Sequence, residues 1–336
     1  MSASSTTGVR KKMAAAMPLP LFRLLRHGRD RVTMLRTPSV THQQALLNER
    51  GSNPRTFTEK VQARMAFDRR PLLGVFCDKY QMRQYVTERV GAEFLPTLYQ
   101  ASTSAHDLDP AAWPREFALK PSHGSGVALI VSEDAPRRQG RPRPLGWSMY
   151  RIHPDDFDWQ VIRHDAERWL HLPYWNRPGH PMEWAYQLGT PRLIVEELIH
   201  PRHGEHLNDQ RFFVFDGAVA CVLQYTSLFD ELRRDLFTPS WEHLPVVVNN
   251  ARRTNPTPPR PANLPTMIDL AEALGRSVDF IRVDCYDAIE GVKVGELTPY
   301  PRAGENNFDP PDFNQWLGDQ WRLPDEVAER ANQQHP

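Results

Sequence analysis

The stretch "DFIRVDCYDAIEGVKVGELT", residues 279–298, decides how the chain is read. Two β-branched, apolar runs flank a polar break at Asp287–Gly291, which predicts an antiparallel hairpin. Side chains alternate along a strand. Arg282 and Asp284 therefore share one face of the first run, and Ile281, Val283 and Cys285 share the other. On the second run, Glu296 and Thr298 are expected on one face with Val292 and Val294. A five-residue turn over 287–291 pairs position 286 with 292 and 284 with 294. That register gathers Arg282, Asp284, Glu296 and Thr298 on one surface. Two carboxylates and a hydroxyl are hard oxygen donors of the kind Mg2+ takes, with open positions left for phosphate oxygens. The same residues would also suit a solvated polar face. The apolar reverse face favours a strand in mid-sheet.

A second stretch, "FALKPSHGSGVALIV" (117–131), is a strand, a loop and a strand. Lys120 closes the first strand. The loop from Ser122 through His123, Gly124 and Ser125 to Gly126 can turn backbone amides toward an anion, since glycine permits close approach. It is not a Walker loop, and it also suits a plain hairpin turn. A third run, "RLIVEEL" (192–198), is a strand ending in Glu196 and Glu197. It suits either the rim of a purine pocket or a solvated strand end.

Around these lie helices and a further hairpin. Thr58 is expected to cap a helix over "TEKVQARMAFD", and Asp78 to start one that stops at Gly91. "RFFVFDGAVACVLQYT" (211–226) turns at Asp216-Gly217. Pro265 opens another helix. Residues 146–190 read as aromatic-rich and irregular, 134–145 as a Pro/Arg-rich outer loop, and the tail from 325 as frayed.

With 336 residues, 41 basic and 41 acidic, the chain is too long for one small core and carries no global pull toward nucleic acid or anionic membrane. The three cysteines form no CxxC pair, so no thiolate zinc site or disulfide framework is indicated, and a cytoplasmic setting is expected. No window is apolar and long enough to span a bilayer. The segment 13–25 follows Arg10, Lys11 and Lys12, but Pro18, Pro20 and Arg23 interrupt it, so a loosely docked arm with at most peripheral membrane contact is expected.

In chain order stand Asp78-Lys79 at a helix start, Phe-Ala-Leu-Lys-Pro with its Ser/Gly loop, Val-Glu-Glu-Leu-Ile, Arg-Phe-Phe-Val-Phe-Asp-Gly, Arg-Val-Asp-Cys-Tyr and Gly-Glu-Leu-Thr. This order resembles the ATP-grasp superfamily, and more closely its TupA-like branch, linked to teichuronopeptide and other cell-surface polymer synthesis. "NPRTFTEKVQARMAFDRRP" (53–71), "CDKYQMRQYV" (77–86), "EWAYQL" (183–188), "LTPYPRAG" (297–304) and "WLGDQW" (316–321) support it. The likeness runs from about residue 45 to 324.

The resemblance implies an α+β ATP-grasp fold, in which two lobes with antiparallel sheets and packed helices clamp ATP. It implies an arm over 1–44, a helical region over 45–110, a lid lobe over 111–200, a metal-bearing lobe over 201–324 and a tail over 325–336. By it, Lys79 and Lys120 hold ATP, Ser122–Gly126 cover its phosphates, and Glu196, Glu197 and Leu198 line the adenine pocket. Asp209 stands where a ribose-binding carboxylate is expected, and Arg211 where close relatives carry lysine. Asp284 and Glu296 would ligate Mg2+ with Thr298, which stands where many such enzymes have Asn. Arg282 would stabilise the transferred phosphoryl group, with Lys120 assisting. Tyr300, Arg302 and Trp184 are candidates for gripping substrate. The implied activity is ADP-forming ligation of a carboxylate to an amine, the substrates being small molecules or polymer ends. A glycosyl or phosphoryl transferase of polysaccharide assembly, or a nucleotide-binding module without catalysis, remains open. Oligomeric state is not readable.

Overall fold

The computed structural model describes residues 53–137, 145–176, 183–202, 207–226 and 232–333. The expected arm over 1–44 and most of the Pro/Arg-rich loop lie outside the described residues.

Helix α1 (Phe57–Phe67) starts one residue before the expected cap. Thr56 Oγ1 accepts from the Glu59 amide, and the Glu59 carboxylate accepts from the Thr56 amide. This reciprocal cap needs an acid three residues on. Thr56 has one there and Thr58 does not, so Thr58 bonds Asn314 instead. The apolar face of α1, with Phe57, Val61 and Met65, is buried. Helix α2 (Leu72–Cys77) follows, and Asp78 Oδ1 then accepts the Tyr80 and Gln81 amides to start α3 (Gln81–Val90), which stops at Gly91 with φ 113°.

The first lobe is a sheet of β1 (Leu98–Ser102), β2 (Phe117–Pro121), β3 (Ala128–Val131), β4 (Met149–Ile152) and β5 (Leu193–Glu196). Its order is β1-β5-β2-β3-β4, antiparallel except between β3 and β4. Helix α4 (Trp159–Leu170), capped by Asp158, buries Ile162, Ala166 and Trp169 in this lobe's core. The span 146–190, expected to be irregular, thus contains β4 and α4. The apolar i, i+4 stripe of α4 is masked in the sequence by the Trp, His and Arg around it.

The second lobe is a fully antiparallel sheet of order β11-β10-β6-β7-β8. Its strands are β6 (Asp209–Phe215), β7 (Ala218–Thr226), β8 (Arg233–Phe237), β10 (Ile281–Ala288) and β11 (Gly291–Thr298). Asp216 and Gly217, with φ of 47° and 82°, make the expected tight turn. Helix α5 (Leu264–Gly275) packs on this sheet, and its Gly275 lies against Val214, where a Cβ would stand 2.4 Å from a methyl carbon. A short ladder, β9 (Val247–Val248) with β12 (Phe308–Asp309), flanks the lobe. Helix α6 (Asp312–Asp319) and helix α7 (Asp325–Gln333) close the chain. The tail expected to fray is therefore mostly α7, whose Val327 and Ala331 join the core. The class is α+β, as expected.

The hairpin register differs from the expected one. Ala288 pairs Gly291, Cys285 pairs Val294, and after a bulge at Gly295, Asp284 pairs Glu296 and Arg282 pairs Thr298. An extra residue flips the alternation. Val292 and Val294 therefore lie with Cys285 on the apolar face, not with Glu296 and Thr298 as expected. The gathering of the four polar side chains survives because the bulge re-aims the last two.

Candidate functional site

On one face of the second sheet, Arg282 Nε and Nη2 each donate to Asp284 at 2.6 Å. Nη2 also donates to Thr298 Oγ1 at 2.9 Å and lies 3.7 Å from Glu296 Oε2. Arg211, paired with Asp284 across β6 and β10, places its Nε 3.7 Å from Asp284 Oδ2. Burial pushes the Asp284 carboxyl up to about 6, against the pull of Arg282 and Arg211. Burial also opposes ionisation of Glu296, yet Lys79, Arg282, Arg211 and Lys120 together outweigh it and hold that carboxyl below its ordinary value. Neighbouring acids of one hairpin are thus driven in opposite directions.

The other lobe meets this hairpin through Lys79. Its ammonium donates to the Gly124 carbonyl at 2.6 Å and lies 3.4 Å from Glu296 Oε1. Its amide donates to the Ser122 carbonyl at 2.8 Å, so α3's approach and the loop are tied at both ends. Lys120 forms a 2.5 Å ion pair with Glu196, which also faces Arg83 at 3.6 Å. Close contacts therefore join Lys79, Arg211, Arg282, Asp284, Glu296 and Thr298, and the charge of Lys120, itself paired with Glu196, reaches Glu296.

Only part of the loop is open to a ligand. Ser122 is buried, and its hydroxyl accepts the Arg192 amide. His123 is buried, with Nε2 3.2 Å from the Leu172 carbonyl. Burial lowers its imidazole pKa. Gly124 packs beneath Tyr174 and Trp147, where a Cβ would come within 2.5 Å of the tyrosine ring. Trp147 Nε1 donates to the Ser125 carbonyl at 2.8 Å. The exposed tip is Ser125-Gly126. The aromatic clamp lies in the span read as irregular, so no motif points to it.

Other expected residues are placed differently. Glu197 is engaged by the Thr97 amide at 2.8 Å, and Leu198 lies in the extended segment after β5. Asp209, the first residue of β6, is buried, with Oδ2 accepting from Arg211 and Oδ1 lacking a hydrogen-bond partner among the described residues. Tyr300 and Trp184 are buried, 1% and 6% exposed, and neither the Tyr300 hydroxyl nor Trp184 Nε1 has a hydrogen-bond partner among the described residues. Arg302 is exposed, in a left-handed conformation with φ 49°. Arg83, a partner of Glu196, is missed by sequence reasoning; its place on α3, four residues beyond Lys79, is the available signal.

The donor chemistry fits a hard divalent cation. Asp284 and Glu296 are opposed across one ladder, and both present oxygen. Among the described residues, no group of three His, Cys, Asp or Glu side chains forms a metal-binding cluster. Such a cation would draw its remaining ligands from phosphate oxygens and water.

Residues 169–322 match the model of the family described as TupA-like ATPgrasp. The segment is similar to the TupA-like ATP-grasp family. It holds Glu196, Asp284 and Glu296, while Lys79, Lys120 and the 122–126 loop precede it. Among solved structures, D-alanine–D-alanine ligase from Bacillus anthracis shares 13% identity over 79% of this chain and 71% of that one, with a TM-score of 0.41. The ATP-grasp ligase PsnB complexed with minimal precursor shares 10% over 79% and 62%, with a TM-score of 0.35. N5-carboxyaminoimidazole ribonucleotide synthetase from Thermus thermophilus shares 12% over 69% and 48%, also with a TM-score of 0.35. The chain spans less than two thirds of the PsnB chain. No curated protein matches it. Among the described residues, no helix is long and apolar enough to cross a membrane.

Proposed function

We propose that the protein is an ATP-dependent ligase that activates a carboxylate as its acyl phosphate and joins it to an amine. The observation that carries this reading is Lys79, whose ammonium reaches both the Gly124 carbonyl and Glu296. It spans from the loop expected over the phosphates to the acids expected to hold the metal. A phosphate between loop and hairpin would find a cation on one side and oxygen ligands for Mg2+ on the other.

The residues then have separate tasks. Glu196, held by Lys120 and Arg83, rims the nucleotide pocket. Lys79 and the exposed amides at Ser125-Gly126 meet the phosphate tail. Asp284 and Glu296 would hold Mg2+, which when bound neutralises phosphoryl charge. Arg282, fixed by Asp284 and Thr298, faces the transferred group and stabilises charge building on its oxygens. The substrate carboxylate displaces ADP from the γ-phosphoryl group, and the amine then displaces phosphate from the acyl carbon with loss of a proton. Trp147 and Tyr174 clamp the loop, so water is kept from the acyl phosphate. Assembly of a cell-surface polymer or related metabolite in the cytoplasm is the setting the family likeness supports.

The test is ADP release by the full chain with Mg-ATP, hydroxylamine as a general amine and a panel of carboxylic acids. Turnover should require an acid and yield a hydroxamate. Glu296→Gln should lower kcat/KM by about two orders of magnitude or more in a variant whose far-UV circular dichroism shows it folded. Wild-type turnover in that variant would refute the metal assignment.

A further inference from the structure

The two acids of the hairpin are already matched by cations of this chain. Both oxygens of Asp284 accept from Arg282 at 2.6 Å, and Oδ2 also lies 3.7 Å from Arg211 Nε. Glu296 stands between Lys79, 3.4 Å from Oε1, and Arg282, 3.7 Å from Oε2. Arg211 is held in turn by Asp209 at 2.6 Å. Lys79, Arg211 and Arg282 thus face Asp209, Asp284 and Glu296, cation for anion. A cluster balanced in this way offers no net negative charge to a bare divalent ion.

Burial makes a change of partners costly. The side chains of Arg282 and Asp284 are 8% and 2% exposed, whereas Glu296 keeps 20%. A divalent ion drawn to Glu296 meets Lys79 and Arg282 within 3.7 Å of the same carboxylate. An ion drawn to Asp284 must part it from Arg282, and that guanidinium would then lie buried beside a second positive charge. An uncompensated buried charge is strongly destabilising. Mg2+ also gives up its water reluctantly, so a weak attraction does not bring it in.

An anion arriving with the ion changes the balance. A nucleotide phosphate chain supplies acceptors for the cations that leave the acids. Lys79 is placed for that exchange. Its ammonium also donates to the Gly124 carbonyl at 2.6 Å, so it can leave Glu296 and still keep a partner. Arg282 has the same freedom at Nη2, since Nε holds Asp284 Oδ1 separately.

Resting on the ligase reading, we propose that Lys79 and Arg282 bar the acidic hairpin to free divalent cations and yield it only to a cation that enters with, or after, the nucleotide. Binding is therefore ordered by residues of the chain itself, and free metal does not load the site in advance.

The experiment is titration of the full chain with Mn2+, the free ion being followed by its electron paramagnetic resonance signal. Wild-type protein should take up no Mn2+ below the millimolar range without nucleotide, and should take it up once ADP is added. Lys79→Met should bind Mn2+ without nucleotide about ten-fold or more tightly than wild type. Lys79→Arg, which keeps the charge, should exclude the ion as wild type does. Adding Glu296→Gln to Lys79→Met should erase the gain, which places the ion on that acid. Arg282→Met should show a gain of its own; if circular dichroism shows that variant unfolded, Lys79→Met decides alone. Micromolar Mn2+ binding by wild type without nucleotide, or no gain in folded Lys79→Met, overturns the proposal. Absence of ADP binding under every condition would instead sink the nucleotide reading, and the Lys79→Met titration, which contains no nucleotide, would still decide the exclusion.

Discussion

Gly295 is the residue on which the site's geometry turns. A Cβ there would lie 2.3 Å from Cε2 of Tyr286, so the ring and any side chain cannot coexist. With glycine, the strand bulges and Glu296 swings to the face of Asp284. Gly295→Ala should therefore do two things. Overpacking against the ring should cost about 1–3 kcal/mol, read as a lower urea midpoint. Loss of the bulge would return Glu296 to the apolar face, so turnover should fall far more than stability does. Wild-type turnover in Gly295→Ala would show that the bulge does not aim Glu296. The sequence places Arg282, Asp284, Glu296 and Thr298 together through alternation, but a uniform alternation cannot contain a bulge. That is why alternation reaches the correct face with the wrong register, and why it misplaces the valines.

At the scale of elements, legibility follows the strength of local rules. The Asp216-Gly217 turn and the β-branched strands of the second lobe announce themselves, because turn chemistry and period two are local. Helix α1 is legible, but its first residue is not, unless each threonine is weighed together with its reciprocal acid. The consequence is measurable. Thr56→Ala removes the acceptor for the Glu59 amide, so the unfolding free energy should drop by about 1 kcal/mol, read as a lower urea midpoint with the slope unchanged. Thr58→Ala should leave the cap intact and cost only its bonds to Asn314. If Thr58→Ala proved the costlier of the two, the cap would belong to Thr58 after all. Helix α4 and the Trp147–Tyr174 clamp are not legible. The contacts of Trp147 and Tyr174 to Gly124 and Ser125 join positions 22 and more residues apart, and no local pattern encodes such a meeting.

For the whole molecule, the question is what fixes the N-terminal helices against the second lobe so that Lys79 meets Glu296. Much of the answer is a buried ionic knot. Arg64 of α1, fully buried, donates to Asp279 at 2.5 Å and to the Phe280 and Pro299 carbonyls at 2.9 and 3.3 Å. Arg70 and the Trp321 indole reach the same Asp279 at 2.8 Å. Asp279 and Pro299 bracket the β10–β11 hairpin, so this knot orients the helices toward it. Burial disfavours the Asp279 carboxylate, but Arg64, Arg70 and the Trp321 bond outweigh it and hold its pKa below the ordinary value. The sign follows from linkage. A depressed folded pKa contributes stability that is present above the unfolded value near 3.9 and is lost as pH falls through the folded one. Melting temperature should thus decline steeply below about pH 4. Asp279→Asn leaves Arg64 short of a counter-charge in the interior and should cost about 3 kcal/mol at neutral pH. The gap between variant and wild type should then narrow in acid, because protonation does to Asp279 what the substitution does permanently. Melting curves that stay parallel from pH 7 to the acid limb would mean the knot holds the lobes by shape and not by charge.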